Sequence, residues 1–233
     1  MKTGLVFLIL IFVSSSAMAH TSYEHEIKCP VDGEKFKIYV TGSYTTFGTY
    51  MDFQKHGAIG DLYESAVNSC PKCHFSGYQD DFDTTFSEES KAEILQILLP
   101  FEKLPMTDVV ENEITIAIYL WQKRDNDAIA WLYLVASYFL RTDQEQILKR
   151  KELQRNCIIY LKKAIELKEY EEVETYATMY YLIGEMYRRV GEFENAIVYY
   201  DLALGAKKKP DWLEEIATGQ KEMALKSDDD NSI

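Results

Sequence analysis

Between Ala177 and Gly205 large and small side chains follow one another in an order that a tight pair of antiparallel helices satisfies. Tyr180 and Tyr187 are large residues at helical spacing. Gly184, Ala196 and Ala203 are small enough to let two backbones approach closely, Gly191 supplies the turn, and Tyr200 fills a seam between adjacent helix pairs. Such a pair cannot bury its apolar faces alone, so it must stack on neighbours. This stretch therefore commits the second half of the chain to a layered helical array.

The segment resembles a tetratricopeptide repeat, whose roughly 34-residue pattern sets large, small and turn residues in this order. A second copy lies upstream, with Trp131, Leu134 and Tyr138 on its first helix and Cys157, Leu161 and Ala164 on its second. About ten extra residues, at 142–151, separate those two helices. Cys157 aligns with Ala196, which makes it a small buried side chain. Helices are predicted from an N-cap at Ser87 to near Pro100 and over 108–123, 126–141, 147–168, 171–190, 193–206 and 211–225, the last as a polar-faced cap. On the inner helix of the stronger copy, Thr178, Tyr181, Glu185, Arg188 and Arg189 are expected to face the concave side and to offer a surface to a protein or peptide.

Residues 20–86 have a different texture, with three of the four cysteines and short alternating segments. Phe36, Ile38 and Val40 share one face of a predicted strand, because strand side chains alternate. Cys70-Pro-Lys-Cys73 has the spacing that lets two thiolates at the tip of a tight turn bind one tetrahedral zinc. Cys29-Pro-Val-Asp32-Gly33 matches it in length and in the proline after its first cysteine. Asp32 stands where a fourth thiolate would be, and zinc accepts carboxylate oxygen. The predicted metal ligands are Cys29, Asp32, Cys70 and Cys73, with His74 the alternative fourth ligand and His25 and His56 more distant candidates.

The run from Cys29 to Tyr78, with Cys-Pro-x-x-Gly-x-x-Phe, Thr-Thr-Phe-Gly-Thr and Cys-Pro-x-Cys-x-Phe, resembles bacterial proteins grouped as domain of unknown function 2225. The resemblance implies a zinc-ribbon-like module ahead of tetratricopeptide-like helices. The family's second cysteine of the first knuckle is Asp32 here, and its usual glycine after the last cysteine is His74. The fold class expected is mainly α, built of antiparallel helix pairs, with a small β-rich module at the N-terminal side. Its divisions are 1–19, 20–86, 87–226 and an acidic tail at 227–233.

Residues 1–19 read as an export signal, with Lys2, an apolar run from Leu5 to Val13 and a small-x-small site at Ala17-Met18-Ala19. A periplasmic location is expected, and no later apolar run is long enough to span a membrane. The formal charge of −13 argues against nucleic acid as a partner. The short basic runs at 149–151 and 207–209 read as solvated helix ends or loops, and the acidic tail reads as frayed. Four protein ligands would leave no water on the metal to activate, so the expectation is a non-enzymatic scaffold or adaptor with a structural zinc. The competing expectation is thiol redox or metal handling through Cys70 and Cys73.

Overall fold

The computed structural model describes residues 20–58 and 60–230. The expected export signal lies outside the described residues. The module begins with a long hairpin in which β1 (His20–Lys28) pairs antiparallel with β2 (Lys35–Tyr44). Ile27 lies opposite Phe36 and His25 opposite Ile38, a register that turns Phe36, Ile38 and Val40 toward the core as their alternation predicts. Two shorter hairpins follow, β3 (Thr46–Thr49) with β4 (Lys55–Gly57) and β5 (Asn68–Ser69) with β6 (Ser76–Gly77). The knuckle segments are the turns of the first and third hairpins.

Helices make up the rest, so the chain is mainly α. α1 (Glu88–Leu98) starts as expected at Ser87, whose hydroxyl accepts the Ser90 N–H at 3.1 Å, and gives way to a 3-10 turn at Pro100. α2 (Asp108–Gln122), α3 (Asn126–Tyr138), α4 (Ile147–Glu166), α5 (Val173–Val190), α6 (Phe193–Leu204) and α7 (Leu213–Leu225) follow, each packed on the next. Their bounds lie within three residues of those predicted from spacing. No helix among the described residues is long and apolar enough to cross a membrane.

The small residues act as their spacing implies. A Cβ added at Gly184 would sit 2.9 Å from the Tyr200 ring, closer than side chains approach, so α5 and α6 pack at this distance only with glycine there. Ala196, Ala203 and Tyr200 are fully buried beside it. Cys157 is fully buried between α3, α4 and α5, and burial pushes its thiol far above the ordinary range. It is a packing residue.

The module and the helices share cores. Ile27, Val31, Ile38, Phe75 and Phe82 pack with Ile94, Leu98, Ile114 and Ile118 of α1 and α2. Within the acidic stretch after Tyr78, Asp81 is buried and accepts from Tyr119 Oη at 2.7 Å and from Arg124 at 2.6 Å, which fastens this turn to the end of α2.

Candidate metal centre

Both knuckles fold into the same turn. Cys29 N–H donates to the Glu34 carbonyl at 2.8 Å and Gly33 N–H to the Cys29 carbonyl at 3.0 Å. Cys70 N–H donates to the Phe75 carbonyl at 2.8 Å and His74 N–H to the Cys70 carbonyl at 3.0 Å. Such turns leave the first and fourth side chains of each knuckle on one side, and the shared core presses the two tips together.

The result is a cluster in which one donor atom from each of Cys29, Asp32, Cys70 and Cys73 lies within 4.8 Å of the others. The Sγ atoms of Cys29 and Cys73 are 3.5 Å apart, and Cys70 Sγ is 3.7 Å from Asp32 Oδ1 and 3.8 Å from Oδ2. Cys29 and Cys70 are buried, whereas Asp32 and Cys73 are half-buried. Glu34 N–H donates to Asp32 Oδ1 at 3.0 Å and fixes the carboxylate, while Val31 N–H donates to Cys29 Sγ at 3.4 Å. This group could hold a metal ion.

The electrostatics separate the thiols. The hydrogen bond between the Cys29 and Cys73 sulfurs brings Cys29 down to about 7 against the opposing effect of burial. The same contact, followed by burial, pushes Cys73 up strongly. Burial is the main cause that raises Cys70. Burial works to raise Asp32, but the Glu34 N–H and the Cys29 and Cys73 thiols outweigh it and hold the carboxyl below its ordinary value. One thiolate is thus favoured near neutral pH before any cation arrives.

The histidines lie outside the cluster. His74 occupies the place in its turn that Gly33 occupies in the other, His56 stacks on Tyr50 with ring centroids 5.5 Å apart, and His25 sits on β1.

The helical face expected to be open is filled. Tyr181, Glu185, Arg188 and Arg189 have no exposed surface, and Thr178 is half-buried with its hydroxyl donating to the Glu174 carbonyl at 3.4 Å. What fills it is the turn between β3 and β4. Tyr181 Oη donates to the Met51 carbonyl at 2.7 Å and Tyr138 Oη to the Asp52 carbonyl at 2.6 Å. The Asp52 carboxylate, itself buried, is paired with Arg141 at 2.6 Å and with Arg189 at 3.4 Å. Phe53 inserts between Trp131, Tyr181 and Trp212, with a left-handed φ of 70°. Behind this plug Glu185 accepts from Arg188, Arg189 and Tyr200 at 2.6–2.7 Å. Sequence reasoning missed Asp52 and Phe53. Their one local signal is a short turn, at 50–54, between glycine-bearing strands, and the helical side chains that receive them stand more than 75 residues away.

Two further expectations are corrected. Arg150 and Lys151 are not solvated: Arg150 is 4 % exposed and donates to the Leu140 and Arg141 carbonyls, and Lys151 donates to the Val190 carbonyl at 3.4 Å. The acidic tail is tethered through residues 228–230, whose backbone and side chains accept from Arg188 and Lys151. Residues 231–233 lie outside the described ones.

A family profile described as "uncharacterized protein conserved in bacteria", DUF2225, matches residues 22–224. No curated protein and no solved structure matches the chain.

Proposed function

The chain belongs to the bacterial DUF2225 family, and we propose that it is an exported, non-enzymatic scaffold whose N-terminal module is stapled by a structural zinc ion. The convergence of Cys29, Asp32, Cys70 and Cys73 carries this reading. Zinc–sulfur bonds of about 2.3 Å at tetrahedral angles set two sulfurs about 3.8 Å apart, and a sulfur and an oxygen slightly closer. The observed 3.5 Å and 3.7 Å separations lie near those edges. Thiolates favour zinc over magnesium or calcium, and four protein ligands close the shell against water. A module of about 65 residues with short strands gains the most from such a staple.

The zinc would act on the helical half through the plug. Two of the three hairpins carry its ligands, and the hairpin between them delivers Asp52 and Phe53 into the tetratricopeptide-like helices. Holding the first and third hairpins fixes the second, so the metal supports one rigid body on which protein or peptide partners would assemble.

Metal analysis and thiol titration on protein purified without reductant test the reading. One zinc per chain with no disulfide is expected. A metal-free protein with a reversibly reducible cysteine pair would instead establish thiol chemistry, the competing reading, for which the lowered Cys29 thiol and its 3.5 Å contact with Cys73 are the favouring observations.

A further inference from the structure

The ends of α3 and α5 and the start of α4 gather Arg141, Arg150, Lys151, Arg188 and Arg189 at one end of the helical array. Asp52 and Glu185 answer two of these five positive charges. The acidic segment after α7 supplies three more acids, Asp228, Asp229 and Asp230, and lies across the cluster.

The manner of contact is that of a bound peptide. Arg188 Nη1 donates to the main-chain carbonyls of Asp228 at 3.1 Å and Asp230 at 2.9 Å, which reads backbone, while Lys151 Nζ donates to the Asp229 carboxylate at 3.0 Å, which reads charge. The segment leaves α7 through Ser227 at a left-handed φ of 56° and its own side chains stay exposed. Arg150, 4 % exposed, keeps an Nε atom with no hydrogen-bond partner. Burial and the nearby Arg141 and Arg189 lower its pKa, and Asp229 opposes them. Arg150 thus has one donor left over beside the segment.

We propose that Arg188, Lys151 and Arg150 form a binding site for an extended acidic peptide, and that residues 228–230 occupy it in cis as a displaceable strap. The site rests on the scaffold reading and names the chemistry of the partner, a segment rich in Asp or Glu that offers two carbonyls to one guanidinium. The tether gives the strap an effective concentration on the order of millimolar, so a free peptide competes poorly until the strap is released.

The test uses a synthetic peptide of residues 227–233 added to the full chain and to a chain ending at Lys226. The shortened chain is expected to bind the peptide at least about tenfold more tightly than the full chain, with affinity falling as salt rises. Lys151→Glu in the shortened chain is expected to abolish binding, and a peptide with its aspartates changed to asparagine should not bind. Asp229→Lys in the full chain loosens the strap without truncation and should raise peptide binding in the same direction. Equal binding by the full, shortened and Asp229→Lys chains, or equal binding of the neutral peptide, overturns the proposal. Zinc content measured on the same samples keeps the two readings apart, because loss of peptide binding with metal retained overturns this site alone.

Discussion

Gly33 and His74 hold the same position in two superimposable turns: each donates its N–H to the carbonyl of the first knuckle cysteine at 3.0 Å, and each has a left-handed φ, 79° and 65°. Glycine takes that conformation at no steric cost, whereas a residue with a Cβ loses roughly 1–2 kcal/mol. His74→Gly is therefore expected to leave metal binding by the cluster unchanged and to stabilise the protein by about 0.5–1 kcal/mol after the added chain entropy of glycine is counted. Thermal melts with parallel metal analysis check it. Loss of the metal would put the imidazole in the coordination shell and remove Asp32 from it.

Asp32 contributes the one oxygen of the cluster. Asp32→Ala leaves three thiols and an opening for water, so the protein should yield its metal to a chelator that the parent resists, and the module should unfold as it does so. Asp32→Cys restores the thiolate that the matching position of the other knuckle carries, and should bind zinc more tightly than the parent in chelator competition. A variant order in which Asp32→Ala retains metal as well as the parent would exclude the carboxylate as a ligand.

Asp52 is the acid that joins the module to the helices, and its loss removes a carboxylate shared by Arg141 and Arg189, of which Arg189 keeps Glu185 and Arg141 keeps Gln54. With Asp52 and Arg189 buried and Arg141 half-buried, Asp52→Asn is expected to cost about 3 kcal/mol, the lower end of the range for breaking a buried pair from one side, because both arginines keep other acceptors. Denaturant unfolding measures it. Removing an exposed pair such as Lys37 with Glu24 should shift the unfolding midpoint far less, because solvent screens it.

The helical half was legible because its determinants are local. Gly184, Ala196, Ala203 and Cys157 announce close packing by size alone, and Ser87 announces a helix start by its place before two glutamates. The cluster of Cys29, Asp32, Cys70 and Cys73 was legible for a related reason, since the two knuckles repeat a pattern and the cysteine missing from the first knuckle points to Asp32. The inner face of α5 was not. Glu185, Arg188 and Arg189 are charged, and a charged side chain at helical spacing reads as solvent-facing unless its partner is known. Here the three pair with one another along α5, and the partners that bury them, Asp52, Tyr200 and the acidic segment, arrive from other parts of the chain and leave no mark on α5 itself.

Glu111 on α2 gives the protein a pH dependence near neutrality. Burial raises its carboxyl to about 7, with Asp108 adding to the rise and a hydrogen bond from Ser69 opposing it. In the unfolded chain a glutamate titrates near about 4.3, so the folded state holds the proton over a window from about 4 to 7 in which the unfolded state has lost it. The associated stability is present in full below that window and is lost as pH rises through about 7. Glu111→Gln keeps the shape without the charge. It should match the parent below about pH 4, draw ahead through the window, and exceed it by roughly 1–2 kcal/mol near pH 8, once partial solvent screening is allowed for. Urea midpoints of both proteins across this range decide the matter, and a difference that does not change with pH would show that Glu111 is already ionised in the folded chain.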